Sequence, residues 1–220
     1  PRFCGEYFRS LEIRKSTNTR KNYAYDLGVF FYFLKTNNPY FKDKDIHTLP
    51  IEVLDMITAM DVEEYLSYLE SYTKDGKLYT NREEGKARKL SSLKSFYDYY
   101  FKKNLIRTNP PRQVDVPKIK NKNIIRLDPN EIAQLLDEAE SGEKLSGRQL
   151  ASHEKTKVRD VAILTLLLGT GIRVSECVGL NLEDVDFNNG AIRIIRKGGN
   201  EALIYFGDEV SQALEAYMNG

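Results

Sequence analysis

With 220 residues, 41% of them hydrophobic, the chain has room for one large domain or two ordinary ones and can bury a sizeable core. Its 33 basic residues against 32 acidic ones leave a net charge of +1, so any argument for a nucleic-acid partner must be local. Cys4 and Cys177 supply neither a disulfide framework nor a zinc set, and the most apolar run, Val161 to Leu168, is about half the length of a bilayer span.

These features argue against a disulfide-built secreted scaffold and against a helical membrane protein. No signal peptide is read at the start, and the expected setting is the cytoplasm, with no membrane partner. The chain opens at Pro1 and stops at Gly220 just after a short helix, so both ends read as cut.

Along the chain, Tyr23, Leu27, Phe30, Phe31 and Leu34 recur at spacings of three and four, which predicts an amphipathic helix from Thr17 to Lys35. A second helix is expected from about Ala59, with Asp61 as N-cap and Glu64 three residues on, ended by Tyr72 to Gly76. A third spans Asn81 to Lys103, with Leu90, Leu93, Phe96, Tyr97, Tyr100 and Phe101 as its apolar stripe, and Asn109-Pro110-Pro111 stops the chain from continuing as a helix. The first half is expected to be all helical. Residues 1–111 are therefore taken as a helical domain, 112–126 as an exposed basic linker, and 127–220 as a second domain.

The second domain opens with Asp128 as N-cap, Pro129 at N1 and Glu131 at N3 of a helix. Lys157 to Leu168 is apolar almost all round and is expected to be buried; Gly169-Thr170-Gly171 ends it before a short helix from Arg173 to Gly179. The period then changes to that of strands at Asp184–Phe187, Ala191–Ile195 and Ala202–Phe206, separated by the turn signals Asn188-Asn189-Gly190 and Lys197-Gly198-Gly199-Asn200. A small antiparallel sheet follows, and Asp208 caps a last helix. The fold class is mainly α with one small antiparallel sheet.

Two positions carry candidate chemistry. Arg173, just after a double-glycine turn, presents a planar fork of donors suited to a phosphate, and Glu176 one turn on is placed to hold it; an ordinary surface ion pair has the same spacing. Lys197 lies at a hairpin tip, where an ammonium reaches a phosphate or a leaving oxygen, and where many lysines serve only solubility. For binding, the third helix carries seven basic residues (Arg82, Lys86, Arg88, Lys89, Lys94, Lys102, Lys103) against three acids. The linker adds Lys118, Lys120 and Lys122, and the first helix adds Arg20 and Lys21, so adjacent segments are placed to track a duplex backbone. Fourteen tyrosines are mostly core or rim residues, His47 and His153 read as surface residues, and no metal cluster or phosphate loop is found.

The run Arg159-Asp160-Val161-Ala162-Ile163-Leu164-Thr165-Leu166-Leu167-Leu168-Gly169-Thr170-Gly171-Ile172-Arg173-Val174-Ser175-Glu176 resembles the first active-site box of tyrosine recombinases. Gly179 to Asp186 and Arg196-Lys197-Gly198-Gly199-Asn200 resemble the segment and hairpin leading to that family's catalytic lysine, and the first half is similar to its helical, SAM-like core-binding domain. Within the family the likeness is closest to the Xer recombinases of Firmicutes, the XerS type, with a mobile-element integrase as the rival.

The resemblance implies site-specific recombination of double-stranded DNA at a dif-like or attachment site, by a homotetramer on DNA, through a 3′-phosphotyrosine and without a metal or nucleotide cofactor. It matches Arg173 to the first phosphate-clamping arginine, Glu176 to its supporting acid and Lys197 to the lysine that protonates the leaving oxygen. The family's His-x-x-Arg box and nucleophilic tyrosine are expected beyond Gly220, so no nucleophile is nominated in this chain, Tyr217 included. The chain is then expected to bind DNA without cleaving it and to expose apolar surface that later helices cover. A naturally short DNA-binding protein without catalysis, and a helical interaction module unrelated to DNA, are the other readings.

Overall fold

The computed structural model describes residues 1–119 and 126–219, and they fall into two compact units, Pro1–Lys122 and Asn123–Gly220. Lys120 and Lys122, both expected to bind DNA, lie outside the described residues.

The first unit is built on helices α1 (Cys4–Glu12), α2 (Thr17–Asn37), α3 (Ala59–Tyr68) and α4 (Glu83–Phe101). Their inward faces form a core rich in aromatic rings, among them Phe30, Phe31, Tyr65, Phe96, Tyr97 and Tyr100. Buried phenols need partners: Tyr97 donates to the Leu54 carbonyl at 3.2 Å, Tyr100 to the Phe3 carbonyl and Tyr7 to Ser95 Oγ at 2.9 Å. Burial pushes all three phenols above the usual range, as expected of structural tyrosines.

The expectation of an all-helical first half is corrected. Strands β1 (Ser71–Lys74) and β2 (Lys77–Thr80) pair antiparallel between α3 and α4. Asp75 and Gly76, with φ of 52° and 74°, make the left-handed two-residue turn that fits a hairpin's twist. The N-cap of α3 is Thr58 rather than Asp61. Asp61 occupies N3, where its carboxylate accepts the Thr58 N–H at 2.8 Å while the Thr58 hydroxyl accepts the Asp61 N–H. The exposed linker also starts later than Arg112, since a 3-10 turn at Pro110–Gln113 packs on α3 and α4 and Val114 is buried in the same core.

The second unit holds α5 (Pro129–Ser141), α6 (Gly147–Thr170), α7 (Val174–Val178), the three-stranded sheet β3 (Val185–Asp186), β4 (Ala191–Ile195) and β5 (Glu201–Tyr205), and α8 (Asp208–Asn219). Asp128 caps α5, with its side chain accepting from Asn130 and Glu131 N–H groups. The sheet is a meander in which Ile192 pairs with Val185 and Ile204, and its inner face packs with Leu166, Ile172 and Val210.

Helix α6 is not the buried helix expected from its apolar run. Ala162 and Leu166 are buried, whereas Val158, Ile163 and Leu168 are exposed, because α5 and α8 pack on it and the remaining faces are open. Ala162, Ile163 and Leu166 line one wall of an apolar groove of about 480 Å³ completed by Leu214, Tyr217 and Met218. His153 is also corrected: it is half-buried, with Nε2 2.8 Å from the Ala139 carbonyl.

Candidate active site and nucleic-acid interface

Helix α6 ends at Gly171, whose φ of +65° lets the chain reverse at once. Arg173 follows as the N-cap of α7. Its backbone N–H donates to Glu176 Oε2 and a guanidinium N–H donates to Oε1, both at 2.8 Å. The Glu176 side chain is 6% exposed and that of Arg173 is 69% exposed. The arginine is therefore anchored at one nitrogen, and its other donors face outward.

The Arg173 N–H, then its guanidinium, hold the Glu176 carboxyl below the usual carboxylate range, and the charge of Arg196 acts in the same direction. Arg196 opens the turn between β4 and β5. Its N–H donates to the Asn200 carbonyl at 2.8 Å and its carbonyl accepts from Gly199 at 2.9 Å. Gly198 and Gly199 take φ of +105° and +86°, conformations that favour glycine, and Lys197 projects exposed at the tip. Arg173, Glu176 and Lys197 thus belong to one unit, on two elements separated by a cavity of about 390 Å³ that Ser175, Glu176, Arg193 and Ile195 help to line.

In the first unit the cations divide sharply. Lys89, its side chain 10% exposed, donates to Asn81 Oδ1 at 2.8 Å and lies 4.0 Å from the buried Asp26 carboxylate, and burial lowers its pKa. Arg88 and the Ser92 hydroxyl also donate to Asp26. Lys86 is held by Glu83 at 3.2 Å and Glu70 at 3.6 Å, Lys94 donates to the Val114 carbonyl at 2.9 Å, and Arg20 pairs with Glu12 at 3.0 Å. Lys21, Arg82 and Lys118 are exposed.

A cleft of about 570 Å³ between α1 and α4 was not found by sequence reasoning. Six cations line it: Arg14, Lys15, Lys94, Lys102, Lys103 and Arg112. Its acid, Asp98, is taken up by Arg112 and Asn109, which hold its carboxyl below the usual range. The sequence signal was two adjacent pairs, Arg14-Lys15 and Lys102-Lys103; the first follows α1, a helix not expected above although Phe3, Tyr7 and Leu11 recur at a spacing of four. An open cleft of this charge suits a polyanion.

Residues 125–220 match the model of the phage integrase family. Tyrosine recombinase XerS of Streptococcus mutans is 30% identical over 243 residues, covering 99% of this chain and 67% of that protein. Tyrosine recombinase XerC of Caldanaerobacter subterraneus subsp. tengcongensis is 33% identical over 217 residues, covering 96% of this chain and 56% of that protein. The Tn1549 transposon integrase, solved with circular intermediate DNA, superposes with a TM-score of 0.64 at 20% identity, over 99% of this chain and 64% of that one. This chain belongs to the tyrosine recombinase family. It spans little more than half of the XerC relative and two thirds of the XerS relative.

Proposed function

We propose that these 220 residues form the DNA-holding unit and the first catalytic residues of a site-specific tyrosine recombinase that acts in the cytoplasm as a homotetramer on duplex DNA. On this reading Arg173 clamps the scissile phosphate and Glu176 fixes its orientation. A tyrosine beyond these residues forms the O–P bond as the P–O5′ bond breaks, and the Lys197 ammonium gives its proton to the departing 5′ oxygen. The bond energy is kept in the phosphotyrosine, so the step needs no nucleotide.

The observation that carries the reading is the doubly bonded Arg173–Glu176 pair, which leaves a guanidinium facing outward within the residues that match the family model. The cationic cleft of α1 and α4 supports duplex DNA as substrate. Likeness to XerC and XerS proteins favours chromosome dimer resolution at a dif-like palindrome over a mobile-element role.

The test is covalent-adduct formation by the full-length recombinase on nicked duplexes carrying either a dif-like palindrome or an element's attachment site. Arg173→Ala and Lys197→Ala are expected to abolish the adduct and to leave duplex binding largely intact. Undiminished adduct from Arg173→Ala would remove that residue from its role, and adduct on the attachment site alone would make the protein an element's integrase.

A further inference from the structure

The glycines beside Lys197 leave the hairpin tip without side-chain restraint, so any precision in placing its ammonium must come from the hairpin stem. The β3–β4 backbone ladder ties that stem to the segment following α7, and a side-chain link extends the ladder by one residue pair. Asp184 closes a 3-10 turn at Leu182–Asp184, and its Oδ2 accepts the Asn181 N–H at 3.0 Å and the Asn181 side-chain amide at 3.3 Å. Its Oδ1 accepts two bonds from Arg193 on β4, Nε at 3.1 Å and Nη2 at 2.9 Å.

Arg193 lies on the strand face opposite Ile192 and Ile194, which pack into the core. The Arg193 face looks onto the cavity that Ser175, Glu176, Leu180 and Ile195 help to line, not into the core. A pair whose arginine side chain is 51% exposed contributes little to stability. What two donors converging on Asp184 Oδ1 do supply, with Oδ2 held by Asn181, is a restraint on how the stem slides against the turn.

We infer that Asp184 and Arg193 are positioning residues that hold the stem of the Lys197 hairpin in register with the turn bearing Arg173 and Glu176. The inference rests on the reading of Lys197 as proton donor, and the test separates the two. The full-length recombinase is given a nicked duplex whose scissile phosphate carries either the natural 5′ oxygen or a bridging sulfur. A thiolate leaves without being protonated, so a defect confined to the proton donor is relieved by sulfur, whereas loss of the phosphate clamp is not.

Asp184→Asn and Arg193→Gln are each expected to slow adduct formation about tenfold or more on the oxygen substrate, and to regain the parent rate on sulfur, as Lys197→Ala should. Arg173→Ala should stay slow on both. Arg193→Gln leaves the Asp184 bonds to Asn181 in place, which keeps the test valid if Asp184→Asn misfolds. Full rates on oxygen, or defects that sulfur does not relieve, would overturn the positioning role alone. Failure of sulfur to relieve Lys197→Ala would overturn the proton-donor reading and this inference with it.

Discussion

Arg173 and Glu176 are joined twice, backbone N–H to one carboxylate oxygen and guanidinium to the other, so a single acid both caps α7 and orients the arginine. Cap and clamp are therefore inseparable. Glu176→Gln keeps the shape but loses the charge that favours both bonds.

This gives a pH dependence with a definite sign. The Glu176 carboxyl lies below its ordinary value of 4.5 when folded, mainly because of the Arg173 N–H, and Asp184 lies below 3.8, mainly because of the Asn181 N–H. Their stabilisation is complete above the ordinary values and is lost as pH falls through the depressed folded ones. Thermal unfolding followed from about pH 6 to about pH 3 should show a steeper loss for the parent chain than for Glu176→Gln. Parallel profiles would show that the Glu176 pair carries no such linkage.

The division of cations separates two kinds of variant. Arg14→Ala, Lys15→Ala and Lys102→Ala should each weaken duplex binding and reduce the slope of log affinity against log salt by about 1 for each phosphate no longer neutralised. Lys89→Ala should lower stability and leave the slope nearly unchanged, because its ammonium is spent on Asn81 and Asp26. Sequence alone predicts the slope to depend on Lys86, Lys89 and Lys94; only Lys94 lines the cleft, so titrations of the Lys86 and Lys89 variants decide between the two.

Asp26→Ala removes the acceptor shared by Arg88, Ser92 and Lys89 and leaves a buried lysine without its counter-charge. The expected cost is about 3 kcal/mol of stability in the first unit, read from urea unfolding. A loss well under about 1 kcal/mol would show that solvent replaces Asp26 cheaply.

Gly169→Ala probes the packing behind the arginine turn. A Cβ at this position would come within 2.6 Å of the Val210 side chain, where α6 approaches α8. A loss of about 1 to 3 kcal/mol is expected, together with a weaker Arg173-dependent adduct in the full-length protein. Unchanged stability would mean that α8 yields without cost.

Much of the local chemistry was legible where its partners were neighbours in sequence. Asp128-Pro129-Asn130-Glu131 announced α5, and the Asn189-Gly190 and Gly198-Gly199 turns announced the meander that carries Lys197. Helix α1 has no capping signal at its start, and its apolar face, Phe3, Tyr7 and Leu11, was the signal that could have revealed it. The β1–β2 hairpin was missed although Asp75-Gly76 signals a two-residue turn. Which cations are free was not legible at all. Asp26 lies 62 residues from Arg88, and only folding shows that it pairs with Arg88 and lies beside the buried Lys89.

Whether this chain holds DNA without cutting it is decided by mixing these 220 residues with a nicked duplex bearing a dif-like palindrome and running native and denaturing gels across a salt series. The expected result is a native shift that fades as salt rises, with no band surviving denaturation. A covalent band would mean that a tyrosine within this chain attacks, and no shift at low salt would contradict the assignment of the first unit to DNA.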